Sequence, residues 1–188
     1  GQAPDLDRIY DIAKKYGIIL IEDCRSSLGG TYKGKKIGNL RADMTIFSTN
    51  PSNSKYAISR SGIIVTNNED IANRAKLLRT HALTTTYDSY GNLDYVYDVV
   101  DIGHKYDLSE LDAAYALAQL NKTQNFIKRR KEIAKLYQKR LTAVKHIVIP
   151  PHNDEHIFTQ FIIKVSRNRD AFARALKERG VSTGLNYI

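Results

Sequence analysis

The chain has 188 residues, 42% of them hydrophobic and 26% charged, enough for one large domain or for one domain and part of another. No apolar run approaches the ~20 residues of a membrane span, and the first residues carry no signal-peptide pattern, so neither a membrane protein nor an exported one is expected. The net charge of +9 raises the question of nucleic-acid binding, but the excess gathers in one helical stretch and no nucleic-acid motif accompanies it. The single cysteine, Cys24, excludes an intramolecular disulfide and suits a reducing, cytoplasmic setting.

In chain order, Asp5 is placed to cap a helix running to about Tyr16, with Leu6, Ile9, Tyr10 and Ala13 on one face and Gly17 as its stop. Residues 18–21 read as a fully buried strand ending at Glu22-Asp23. Helix, glycine, apolar strand and terminal acid form an α/β pattern, in which ligands collect outside the strand ends. Cys24, directly after that strand, reads as a small packed residue rather than a nucleophile. Residues 31–37 form a small hairpin around Lys33-Gly34-Lys35. Two short buried strands follow, 44–47 and 63–66, separated by a polar loop of Ser, Asn, Lys and Arg that closes on Gly62.

Asn68-Glu69-Asp70 caps a helix over about 71–81, with Ile71, Ala75 and Leu78 at helical spacing. Residues 82–107, rich in Tyr, Asp, Thr and Gly with weak periodicity, read as one long loop of the kind that carries function. Residues 108–144 read as helical with a break near 121–123, and Leu111, Ala114, Tyr115, Ala118 and Leu120 form the apolar face of the first part. The second part holds Lys122, Lys128, Arg129, Arg130, Lys131, Lys135, Lys139 and Arg140 beside Phe126, Ile127, Ile133, Leu136 and Tyr137. Such a run is the solvated side of an amphipathic helix. Strands at 147–149 and 158–165, a helix at 170–179 stopped by Gly180, and a last strand at 181–188 suggest a small α+β unit.

Several of these stretches resemble one family. Gly1, Pro4, Asp5 and Asp7 around the first helix, Glu22-Asp23 at the strand end, and Leu28, Gly29, Tyr32, Lys33, Gly34 and Gly38 after it occupy its motif positions. Phe47-Ser48-Thr49-Asn50-Pro51-Ser52-Asn53 is similar to its F-S-F-x-P-x-K segment, and Glu110-Leu111-Asp112-Ala113-Ala114 with Gln119-Leu120 to a later one. The family is DegT/DnrJ/EryC1/StrS, the pyridoxal-phosphate-dependent sugar aminotransferases, and the resemblance runs along the whole chain but covers only about the second half of a family member. It implies an α/β fold. Residues 1–107 would be the C-terminal part of a type I large domain that binds pyridoxal phosphate. Residues 108–188 would be connecting helices and a small α+β domain, incomplete at its C-terminus.

The resemblance also implies a reaction and a site. Family members pass an amino group from glutamate to a keto-sugar nucleotide on pyridoxal 5′-phosphate, in building surface polysaccharides or antibiotics. Asp23 takes the place of the carboxylate beside the pyridine nitrogen, Ser48 that of the phosphate-binding serine, and Ser26 that of a His or Gln. Asn53 stands at the lysine position (Ser54 if the register is counted back from Thr66), and an amide cannot form the Schiff base. Lys55 is the nearest substitute. The family's G-x-N-x-R, whose asparagine reaches the partner subunit's phosphate, is here Gly103-His104-Lys105-Tyr106-Asp107. No metal is implied.

The expectation is therefore a family chain that is catalytically incompetent by itself. One alternative is a pseudoenzyme or partner-binding domain that kept the fold and lost the lysine. Another is a half-enzyme completed by a separate N-terminal chain, with Lys55 serving. Homodimerisation or other self-association is expected in each case.

Overall fold

The computed structural model describes residues 1–49, 61–87, 93–151 and 153–185. The first helix, α1 (Leu6–Tyr16), forms as its end signals dictate. The Asp5 carboxylate accepts from the Arg8 amide at 3.4 Å, and Gly17 closes the helix at φ +61°, donating to the carbonyls of Ala13 and Lys14. Leu6 and Tyr10 are the buried residues of its inward stripe.

Five strands follow: β1 (Ile21–Asp23), β2 (Thr31–Tyr32), β3 (Lys35–Lys36), β4 (Met44–Ser48) and β5 (Gly62–Val65). β2 and β3 make the expected hairpin, turning through Lys33 and Gly34, both at positive φ. The other three form a sheet in the order β1-β4-β5, with β1 parallel to β4 and β5 antiparallel to it. β4 alternates as a half-buried strand should, with Thr45 and Phe47 turned into the core.

Two expectations about this sheet do not hold. Residues 18–21 are not a fully buried strand: pairing covers Ile21–Asp23, and Ile18, Ile19 and Ile21 are 57%, 72% and 53% exposed. β1 is an edge strand, and among the described residues nothing covers its apolar side; the inward residue is Glu22. Likewise β5 is mostly exposed, because it forms the opposite edge.

Helix α2 (Glu69–Arg79) is capped by Asn68, whose side chain accepts from the Ile71 amide at 3.2 Å. The stretch after it is not one long loop. β6 (Leu83–Tyr87) and β7 (Leu93–Val99) pair antiparallel there, with a register shift between Thr85 and Tyr87. Threonine, tyrosine and valine are good strand formers, and the shift breaks the strict alternation by which such strands are recognised.

Helices α3 (Glu110–Leu120) and α4 (Thr123–Leu141) are separated at the expected break. Of the expected apolar face of α3, however, only Tyr115 turns inward. Leu111, Ala114 and Ala118 are exposed, whereas Ala113, Tyr115, Ala116 and Gln119 turn toward the rest of the chain.

The remaining elements are β8 (Ile147–Val148), β9 (Lys164–Val165) and α5 (Arg169–Glu178). β8 and β9 pair antiparallel. The long strand expected over 158–165 is reduced to β9, because Phe158 (φ +47°) turns inward and stacks on His156 at 4.0 Å between ring centroids. No strand forms over 181–185, and 186–188 lie outside the described residues.

The architecture is mixed α/β, and distant parts of the chain touch. The Ile157 amide donates to the Gly1 carbonyl at 3.0 Å, and the Gly34 amide to Glu155 Oε1 at 2.9 Å. Buried Ile127 and Ala134 of α4, with Ile157 and Phe158, form the core beside the loop that follows β1. Gly29 makes that packing possible. It sits at φ +82°, and a Cβ there would lie 2.8 Å from both Ile127 Cδ1 and Thr123 Cγ2.

Candidate functional site

The pleat of β1 separates its two acids. Glu22 turns inward, where its carboxylate accepts from the Tyr10 hydroxyl and, at 3.3 Å, from Thr45 Oγ1. Burial and the adjacent Glu22 push the Tyr10 phenol well above its ordinary range. Asp23 turns to the opposite, open side. Arg25 Nε donates to both of its oxygens, at 2.9 and 3.1 Å, and the Arg25 amide to Oδ1 at 3.3 Å. These bonds hold the Asp23 carboxyl below its usual range, so it is ionised at neutral pH.

Between the ends of β1, β4 and β5 and the helices α3 and α4 lies a cavity of about 380 Å³. Ser26 and Ser48 both line it, so two of the residues singled out from the sequence meet in one cavity. Arg25 lines it too, whereas Asp23 stands beside it on the other end of the Arg25 pair. Asn53 and Lys55 fall within residues 50–60, outside the described residues. The polar rim is tied across β4 and β5, where the Thr49 and Ser61 hydroxyls lie 2.5 Å apart and the Thr49 amide donates to the Ser61 carbonyl at 3.0 Å.

The Gly103–Asp107 segment is held elsewhere. His104 donates its amide to the Leu78 carbonyl at 2.7 Å, Tyr106 donates to Arg79 at 2.9 Å, and the two rings stack at 4.9 Å. Only Leu108, just beyond, reaches the cavity.

Sequence reasoning missed the far wall. Thr123, Phe126 and Arg130 of α4 line the cavity, as do Tyr115 and Gln119 of α3 and Thr159. For α4 a signal existed: positions 123, 126 and 130 lie on one helical stripe beside buried Ile127. For Thr159 there was none, since its place beside Ser26 comes from a contact between distant parts of the chain, with Thr159 Oγ1 donating to the Ser26 carbonyl at 3.4 Å.

Among the described residues no Asp or Glu lines the cavity, whose walls carry two guanidinium groups and several hydroxyls over an apolar floor of leucine, isoleucine and alanine. That donor set suits a small ligand with an apolar body and an anionic group. Among the described residues there is no cluster of His, Cys, Asp and Glu that could hold a metal ion, and no helix long and apolar enough to cross a membrane.

Comparison with known proteins gives this arrangement a family. The model of the DegT/DnrJ/EryC1/StrS aminotransferase family matches residues 1–188. The fold is similar to that of AtS13 from Actinomadura melliaura, at 26% identity and a TM-score of 0.82, over 100% of this chain and 51% of that one. It is similar to the sugar aminotransferase CalS13 from Micromonospora echinospora, at 25% identity and a TM-score of 0.80, over 98% and 50% of the two chains. Helicobacter pylori PseC, an aminotransferase involved in the biosynthesis of pseudoaminic acid, shares the fold at a TM-score of 0.88 and 22% identity, over 100% and 50%. The chain thus spans about half the length of the solved structures it matches.

Proposed function

Because the chain belongs to the DegT/DnrJ/EryC1/StrS aminotransferase family, we propose that it carries part of the pyridoxal-phosphate site of a sugar-nucleotide aminotransferase and does not complete the reaction by itself. The observation that carries this reading is the meeting of Ser26 and Ser48 in one cavity, next to an ionised Asp23 at the C-terminal end of β1. β1 and β4 are parallel, and the crevice beyond the C-terminal ends of parallel strands is where α/β sheets hold their ligands.

The residues present fit the cofactor at both of its ends. Asp23 would hold a protonated ring nitrogen, and Ser48 and Ser26, with the positive character of the cavity, would hold the phosphate. When bound, the cofactor supplies an electron sink for carbon–hydrogen cleavage next to an amino group. The chain's own work is to orient that group, keep a negative charge at the ring nitrogen, and exclude water with the apolar wall of α3 and α4. What it lacks in sequence is a lysine at position 53, needed for covalent attachment and for moving the proton between carbons. In this reading residues 1–107 belong to the large domain and 108–188 to the connecting helices and small domain.

A second reading, a partner-binding chain that kept the fold and lost the chemistry, is favoured by Asn53 together with the exposed edge of β1. One experiment separates the two. The chain is titrated with pyridoxal phosphate, reduced with borohydride, and its peptides mapped by mass spectrometry. The aminotransferase reading expects weak, saturable binding that Asp23→Asn lowers by roughly tenfold, with no stoichiometric adduct at any one lysine. A full adduct on Lys55 would instead make the chain a competent half-enzyme. Absence of saturable binding would leave only the partner-binding role.

A further inference from the structure

Arg130 is the one cation of the cavity wall that the rest of the molecule leaves unanswered among the described residues. Its neighbours on α4 are engaged. Arg129 pairs with Glu132 at 3.0 Å, and Lys131 Nζ donates to the Asp154 carbonyl. Arg25, across the cavity, holds Asp23. Arg130 has no hydrogen bond, ion pair or ring contact among the described residues, yet it is half-buried beside Phe126 and Thr123 in a cavity that none of their carboxylates lines. Withdrawing a guanidinium partly from water with no acceptor costs free energy, and an acceptor brought by a ligand removes that cost.

Its position is built into the fold. Thr123, Phe126 and Arg130 follow one another at helical spacing, and α4 is drawn onto the loop after β1 because Gly29 leaves room for Thr123 and Ile127. The floor below is apolar, with Leu28, Ile63, Ala116 and Leu120.

We propose that Arg130 is an oxyanion anchor, holding the phosphate or carboxylate of a small ligand whose apolar body lies on that floor. A planar guanidinium bonds two oxygens of such a group at once, which a lysine cannot do. The proposal rests on reading the cavity as a small-molecule site. It adds to that reading a second anchor, on the α4 wall of the cavity that Ser48 also lines, one that distinguishes anionic from neutral ligands.

The test uses the 188-residue chain, its Arg130→Ala, Arg130→Gln and Arg130→Lys variants, and three probes of one shape: phenyl phosphate, benzoate and phenol. Binding is followed by calorimetry and by amide chemical shifts, and thermal unfolding checks that each variant is folded. The expected result is that phenyl phosphate or benzoate binds saturably and shifts Ser26, Ser48 and Thr123. Arg130→Ala and Arg130→Gln should weaken that anion by roughly tenfold or more, Arg130→Lys by less, and phenol by nothing. Whichever anion binds more tightly names the group the site takes.

Three results would overturn the proposal: anion binding that survives Arg130→Gln, phenol binding as well as the anions, or shifts confined to the exposed Lys128, Lys135 and Lys139. Arg130→Gln keeps most of the packing of the side chain, so the test still decides if the alanine variant fails to fold. These outcomes are independent of the Asp23→Asn effect on pyridoxal phosphate. Loss of the Arg130 effect alone would leave the cofactor reading standing, and loss of the Asp23 effect alone would leave an oxyanion site without that cofactor.

Discussion

Glu22 and Asp23 are adjacent carboxylates with opposite surroundings, and the pleat of β1 is the reason. Glu22 is buried on Tyr10 and Thr45, so truncating it strands two hydroxyls in the interior. Glu22→Ala should cost about 3 kcal/mol by urea denaturation, and Glu22→Gln, which keeps an acceptor for Tyr10, about 1 kcal/mol. The Tyr10 phenol is held protonated in the folded chain by burial and by Glu22. Its stabilising contribution is therefore fully present below the ordinary phenol range and is lost progressively as pH rises from there through the raised range of the folded chain. Unfolding free energy should fall above about pH 10, and Tyr10→Phe should flatten that slope. Cys24 behaves in the same direction. Burial first, then the charges of Glu22 and Asp23, push its thiol up to about 11. At pH 8 roughly one thiol in a thousand is thiolate, so iodoacetamide should label it slowly near neutrality and faster only as pH approaches that value. Rapid native labelling near neutral pH would contradict this.

At the scale of elements, the controlling contact is between the loop after β1 and α4. Gly29 needs both its positive φ and its missing side chain, since a Cβ would meet Thr123 and Ile127 at 2.8 Å. Gly29→Ala should destabilise the chain by about 2–4 kcal/mol, combining left-handed strain with overpacking. It should also displace α4 and so weaken anion binding at Arg130. By contrast Gly34→Ala, where no atom lies within 4 Å of the added Cβ, should show only the smaller cost of its φ of +78°. Comparing the two midpoints in urea isolates the packing component.

At the scale of the molecule, large apolar side chains remain open to solvent on both edges of the three-stranded sheet. They include Ile18, Ile19 and Ile21 at β1 and Ile64 at β5. An unpaired apolar edge of this kind recruits other chains. Light scattering should show a mass that rises with concentration, and Ile19→Lys should reduce the rise without lowering the thermal midpoint, since Ile19 is 72% exposed. A monomeric mass at every concentration would refute it.

The amino-acid sequence by itself determined what depends on near neighbours. The caps at Asp5, Gly17 and Asn68, the Lys33-Gly34 hairpin and the break between α3 and α4 are local hydrogen-bonding and φ preferences, and the family motifs lie along the same stretches. Ser26 and Ser48 could be singled out as candidates for that reason. The tertiary structure alone decided which faces are covered. It left residues 18–21 on an open edge, turned most of the expected face of α3 outward, paired β6 with β7 across a register shift, and brought Arg130 and Thr159 into the cavity that the two serines line. Burial is a property of what packs against an element, and hydrophobic periodicity carries no information about whether the partner surface is present.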